Sequence, residues 1–158
     1  MKQYMVEKML AQSGKYILAY KKGYLFLKQS ISKKNIQKLK IHHGIRVNSL
    51  IERLFRFEPR AAVPLNDNCF IFSDHGAIYE YSVENNSITL RHSFSKGMNN
   101  PLSFCIRKNL NGDLLNLFTV NYIWNENKGP VSIYKYDLKE WKEVIIHFLQ
   151  TLYYIFIT

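Results

Sequence analysis

The chain reads as short runs of alternating apolar and polar positions, separated by clusters of Gly, Asn, Asp and Lys. Tyr16-Ile17-Leu18-Ala19-Tyr20 passes through Lys21-Lys22-Gly23 into Tyr24-Leu25-Phe26-Leu27. Cys69-Phe70-Ile71-Phe72-Ser73 passes through Asp74-His75-Gly76 into Ala77 to Val83. After the turn Glu84 to Ser87, the stretch Ile88 to Phe94 alternates again. Further on, Leu114 to Ile123 predicts a long strand, Asn125 to Pro130 a turn, and Val131 to Tyr136 the next strand. Asp137 to Glu140 then turns the chain into Trp141 to Phe148. Two β-type runs around a short Gly- or Asn-containing turn read as a hairpin. Two segments instead invite a short helix: Lys2 to Gln12, and Asn48 to Phe55 with Asn48 or Ser49 as its cap.

The runs recur. Ile78-Tyr79-Glu80-Tyr81 and Ile133-Tyr134-Lys135-Tyr136 share the pattern Ile-Tyr-charged-Tyr, 55 residues apart, each between a turn and a polar turn. Gly23 to Gly44 matches Gly76 to Gly97 at an offset of 53, with a one-residue slip needed after Asn35. Units at about 14–47, 60–107 and 112–158 are the size of propeller blades, four-stranded sheets packed side by side around a channel. The expected fold class is therefore all-β, an incomplete β-propeller of about three blades built from antiparallel hairpins and meanders. A closed ring takes four to eight blades. The expectation that follows is an unclosed piece: a fragment, a truncated product or a protomer that borrows blades.

Composition adds a core. The 11 Tyr, 10 Phe and 2 Trp suit the broad layers between blades, and packing is the reading given to them. With 47% hydrophobic and 22% charged residues, a disordered tail, a collagen-like chain and a disulfide scaffold are excluded. Charge is unevenly spread. Residues 1–60 hold 14 basic residues against Glu7, Glu52 and Glu58, a net +11, whereas residues 61–158 sum to −1. A basic segment favours anions, but a solvated lysine surface is the simpler reading, because the lysines are scattered rather than set at one helical spacing. Cys69 and Cys105 form no CxxC pair, so zinc and thioredoxin-type sites are not expected, and Cys69 reads as a small core residue. The N-terminus lacks the apolar core of a secretory signal, which places the chain in the cytoplasm by expectation. Val144 to Thr158 carries no Lys, Arg, Asp or Glu, but its 15 residues fall short of a membrane-spanning helix and favour strand. The Lys-, Asn-, Ile- and Tyr-rich composition suggests an AT-rich, bacterial genome.

Asp74-His75-Gly76-Ala77-Ile78-Tyr79 resembles the Asp box, Ser-x-Asp-x-Gly-x-x-Trp, of the sialidase or BNR-repeat propeller superfamily. Asp74 and Gly76 match, Tyr79 stands for the Trp, and Phe72 replaces the Ser. The other units depart further, with Lys21-Lys22-Gly23 and Asn127-Lys128-Gly129 at the same turn. In that family the box is a structural turn remote from the catalytic face, so the resemblance implies a fold rather than an activity. Catalytic members hold the sugar carboxylate with three arginines from separate blades, beside a Tyr nucleophile with a Glu partner and an Asp acid/base. Here Arg53, Arg56 and Arg60 lie on one segment, so no catalytic residue is carried over. They remain candidate ligand-binding residues, since a guanidinium fork suits carboxylates, and a surface loop paired with Glu52 and Glu58 is the alternative.

Little other chemistry presents itself. His42 and His43 are adjacent, so in a strand they point apart. His75 falls in a tight turn, and His92 and His147 hold equivalent strand positions. No His-x-x-x-His, Gly-x-Ser-x-Gly or phosphate-binding glycine loop occurs, and no cofactor or metal is expected. Nucleic-acid binding has the basic segment and interleaved aromatics in its favour, without a recognisable motif. The reading is a non-catalytic propeller-type binding or scaffolding domain for a glycan or protein. The alternatives are a fragment of a sialidase-like glycoside hydrolase and a basic nucleic-acid-binding β domain. The uncharged, β-prone stretch Val144–Thr158 also predicts self-association through open edge strands. Light scattering on the purified chain should show oligomers, and a monodisperse monomer would count against this.

Overall fold

The computed structural model describes residues 7–41, 58–74, 76–94, 103–111, 114–120, 133–136 and 140–144. These form twelve strands in three four-stranded antiparallel sheets. The first sheet contains β1 (Lys8–Gln12), β2 (Tyr16–Lys21), β3 (Tyr24–Gln29) and β4 (Asn35–Lys40). The second contains β5 (Ala62–Asn66), β6 (Cys69–Asp74), β7 (Ala77–Ser82) and β8 (Ser87–Ser93). The third contains β9 (Phe104–Lys108), β10 (Leu114–Val120), β11 (Ile133–Tyr136) and β12 (Trp141–Val144). Within each sheet the strands neighbour one another in chain order, so each sheet is a meander. The all-β expectation is met. The helix expected over Lys2 to Gln12 is not: Lys8–Gln12 is β1, paired antiparallel with β2. Its Lys, Met, Leu, Ala and Gln are good helix formers, but apolar burial against β2 and the second sheet overrides that preference. The helix expected over Asn48 to Phe55 lies outside the described residues.

The side-chain alternation of the second sheet decides the packing. Phe70, Phe72 and Tyr81, with Tyr79 and Ile88 beside them, face the first sheet and join Leu18, Tyr20, Leu25, Leu27 and Ile41 in one apolar cluster. Ile71 and Ile78, one position out of phase, face the third sheet and join Leu117, Tyr134, Tyr136 and Trp141 in another. The second sheet is thus covered on both faces. Its strand β6 accordingly reads as a continuous apolar run rather than a clean alternation. Aromatic contacts fill both layers: Phe72 stacks on Tyr79 at 5.5 Å, and Tyr136 stacks on Trp141 at 5.1 Å. His92 sits among Phe94, Tyr134 and Trp141, ring centroids 4.8, 5.1 and 6.4 Å away, as a packing residue between two sheets.

The first and second sheets correspond position by position. Ile41 donates its N–H to the Gly23 carbonyl at 2.9 Å, and Phe94 donates to Gly76 at 2.9 Å. Ser30 donates to Lys15 at 2.8 Å, and Val83 donates to Asn68 at 2.9 Å. Each pair is displaced by the same 53 positions. The slip after Asn35 has a structural cause. The β3–β4 register shifts between Leu27 and Lys28, leaving Ile36 as the extra residue, whereas the β7–β8 register shifts between Ile78 and Tyr79, leaving Arg91. Each fourth strand carries one bulge, at a different place.

The β2–β3 hairpin closes through Lys22 and Gly23, with φ of 49° and 77°, the left-handed pair of a type I′ turn. A Cβ on Gly23 would meet nothing within 4 Å, so any cost of substitution there is purely conformational. Gly23→Ala should lower stability by about 1 kcal/mol in urea unfolding. Phe72→Ala, at a fully buried ring, should lose about 3–5 kcal/mol in the same experiment.

Candidate functional site

The first two sheets stack with like ends together, and polar groups mark both ends of their seam. At one end Lys8, the first residue of β1, donates from Nζ to Glu58 Oε1 at 3.0 Å and to the Pro59 carbonyl at 2.8 Å. At the other end the Lys15 N–H, in the β1–β2 turn, donates to Asp67 Oδ1 at 3.1 Å in the β5–β6 turn. Gly14 leaves room for this contact, since a Cβ there would lie 3.3 Å from Asp67 Oδ1. Along the middle, β1 runs beside β5, so the first strands of the two sheets converge. Farther out, the Tyr81 hydroxyl donates to Gln37 Oε1 at 2.7 Å and lies 3.1 Å from Asn86 Oδ1, while Gln37 Nε2 donates to the Val83 carbonyl at 3.1 Å.

Of the candidate residues, Arg60, Asp74 and Gly76 fall at the Lys8–Glu58 end. Arg60 directly precedes β5, half-buried, and its N–H donates to the Ser73 carbonyl at 3.2 Å. Ser73 answers with its own N–H to the Ala61 carbonyl at 2.9 Å, and its Oγ accepts from the Ala61 N–H at 3.2 Å. Arg60 is therefore held at the entry of β5, beside the Lys8 contact. Arg53 and Arg56 lie outside the described residues, as do His42, His43, His75 and His147. Asp74 closes β6, fully buried, and Gly76 takes φ of 71° in the turn to β7. Tyr79, on β7, faces the first sheet against Phe72. The Asp74-Gly76-Tyr79 stretch thus forms a hairpin turn and the ring behind it, on the second and third strands of its sheet.

Burial, and secondarily the Asp74 carboxylate, push the Tyr79 phenol above its ordinary 10.0. A phenol held protonated is a poor nucleophile. Among the described residues, no group of three His, Cys, Asp or Glu could hold a metal ion. Charge divides by sheet. Residues 7–41 carry nine lysines and the single acid Glu7, whereas residues 58–94 carry Glu58, Asp67, Asp74, Glu80 and Glu84 against Arg60 and Arg91. The basic character read from the N-terminal sequence is thus concentrated on the first sheet, along β4, the β2–β3 turn and the β3–β4 turn. No helix among the described residues is long and apolar enough to cross a membrane. No family model matches the chain, and no curated protein matches it.

The two cysteines are free and differ in setting. Burial, reinforced by Glu80, pushes the Cys69 thiol up to about 12. Cys105 on β9 is exposed. Iodoacetamide at about pH 8 should therefore modify Cys105 and leave Cys69 largely unmodified in the folded chain, which peptide mass mapping would read. Burial likewise pushes Tyr81 up to about 12. Both groups are bound more favourably in their neutral forms, against ordinary values of 9.0 and 10.0. The stability they contribute is complete below those values and is lost as pH rises toward about 12. Urea midpoints should fall across that alkaline window, and less steeply in Tyr81→Phe.

Proposed function

We propose that the chain is a non-catalytic binding or scaffolding domain of β-propeller type, offering its sheet ends to a glycan or protein. The observation that carries this is directional stacking. The second sheet presents Tyr79 and Tyr81 to the sheet before it, and the third presents Tyr134 and Tyr136 to the sheet before it, at the matching positions of the Ile-Tyr-charged-Tyr pattern. The same-offset hydrogen bonds of the first two sheets and the approach of β1 to β5 support a repeated unit arranged around its first strands. The likeness of Asp74-Gly76-Tyr79 to an Asp box agrees with that arrangement and assigns the motif to structure. Arg60 stands at the Lys8–Glu58 end, directly before β5.

Two measurements test this. First strands that converge on an axis are shielded although they are sheet edges, so amides of β1 and β5 should exchange more slowly than those of β4 and β8. Equal exchange on inner and outer strands would remove the propeller-type arrangement. The purified chain should also release no fluorophore from a fluorogenic sialoside above the buffer rate, and turnover would restore the glycoside hydrolase reading.

A further inference from the structure

The outward face of the first sheet, turned away from the second, has its own composition. Ile17 and Ala19 are buried there, yet belong to neither apolar cluster. Tyr24 and Phe26 on β3 flank them, half-buried, with ring centroids 6.5 Å apart and planes inclined by 54°. Register places Lys40 opposite Tyr24 and Lys38 opposite Phe26 on β4. Lys21 ends β2 beside Tyr24, and Lys28 lies two residues beyond Phe26, paired with Glu7. Met9, opposite Ala19 on β1, is 64% exposed. The face is a pair of aromatic rings bordered by lysines.

Comparison with the second sheet shows that this is not simply one more surface for a neighbouring sheet. At the corresponding positions the second sheet keeps an aromatic, Tyr79 for Phe26. Where the first sheet has Lys21, Lys28 and Lys38, the second has Asp74, Tyr81 and Leu90. Covering the first sheet with another apolar sheet would take its lysines out of water without partners, at heavy desolvation cost. A second copy offering its third sheet would add Arg107, Lys135 and Lys142, which lie on the side of that sheet opposite Ile106, Tyr134, Tyr136 and Trp141. Two basic faces repel.

We propose that this face binds single-stranded nucleic acid, with bases stacking on Tyr24 and Phe26 and phosphates meeting Lys21, Lys38 and Lys40. The proposal rests on the reading of the chain as a binding domain and names the partner of its basic sheet. A polyanion supplies the charge that the lysines lack, and exposed bases supply planar faces for the rings, the combination by which sequence-tolerant single-strand binders work. Lys38 now lies over Tyr24, its Nζ 4.1 Å from the ring centroid, and 5.6 Å from that of Phe26. An exposed cation–π contact is weaker than base–aromatic stacking, so an arriving base displaces the ammonium, whose flexible stem carries it to a phosphate.

Fluorescence anisotropy with a labelled oligo-dT of about 12 nucleotides tests this. The intact chain should prefer the single strand to a duplex of equal length. Tyr24→Leu and Phe26→Leu keep the apolar filling, and each should weaken binding about tenfold. Lys38→Gln with Lys40→Gln should weaken it and flatten its salt dependence, while Lys142→Gln leaves it unchanged. Circular dichroism and urea midpoints confirm that each variant is folded. Binding unaffected by the leucine variants, or matched by heparin, would overturn the proposal in favour of a charge-only partner, leaving the binding-domain reading intact. A dimer in light scattering that Phe26→Leu dissociates would also overturn it, by giving the face to a second copy. Failure of the broader reading would show separately, as sialoside turnover.

Discussion

Burial of β6 on both sides is the constraint on which the arrangement depends. Phe70 and Phe72 point one way and Ile71 the other, and all three are fully buried. Strand pleating makes this split unavoidable, and a one-residue slip of β6 would exchange the two sets. The large rings would then meet the layer shaped for Ile71 and Ile78, and the isoleucine would leave a void where Phe70 and Phe72 meet Leu18 and Leu27. The order of the three sheets follows from this one strand. It also explains why the first strands lie close, since sheets stacked in the same sense bring like edges together.

The polar links across the seam play a lesser energetic part. Lys8–Glu58 and Lys15–Asp67 are partly exposed pairs, a class worth about 0–1 kcal/mol each. Their use is positional: one ties the entry of β5 to β1, the other ties two turns together, so the apolar layer closes in one alignment. Tyr81 serves both purposes. Its ring belongs to the apolar layer and its hydroxyl reaches Gln37 on β4, which makes the outer strand of one sheet answer to the neighbouring sheet.

Much of this architecture could be read along the chain, for identifiable reasons. The β2–β3 and β6–β7 hairpins announced themselves because apolar alternation stops at Lys22-Gly23 and at Gly76, where the backbone needs left-handed residues. β1 reads as helix in the sequence because its residues have helical preferences and no Gly or Pro interrupts them. β5 and β9 carry no comparable signal in the sequence. Pro64 argues against a strand by itself and is accommodated because β5 is a sheet edge, where a missing N–H costs no ladder bond. The turn between Asp74 and Gly76 is legible in the sequence. The pairing of Tyr24 and Phe26 with Lys38 and Lys40 is not, since it needs the cross-strand register. The bulge at Ile36 shifts that register by one residue.

The two bulges have a consequence of their own. Between them the outer strands β4 and β8 are out of step by one residue, yet Ile41 and Phe94 regain identical bonds to Gly23 and Gly76. An added residue on an outer strand is therefore absorbed locally before the chain leaves the sheet. Such a strand can gain a residue at one place and shed one at another without disturbing the turns or the inner layers. Sheets of like build can thus differ first at one edge strand, where an alignment by sequence alone loses its footing while the turns keep the same bonds.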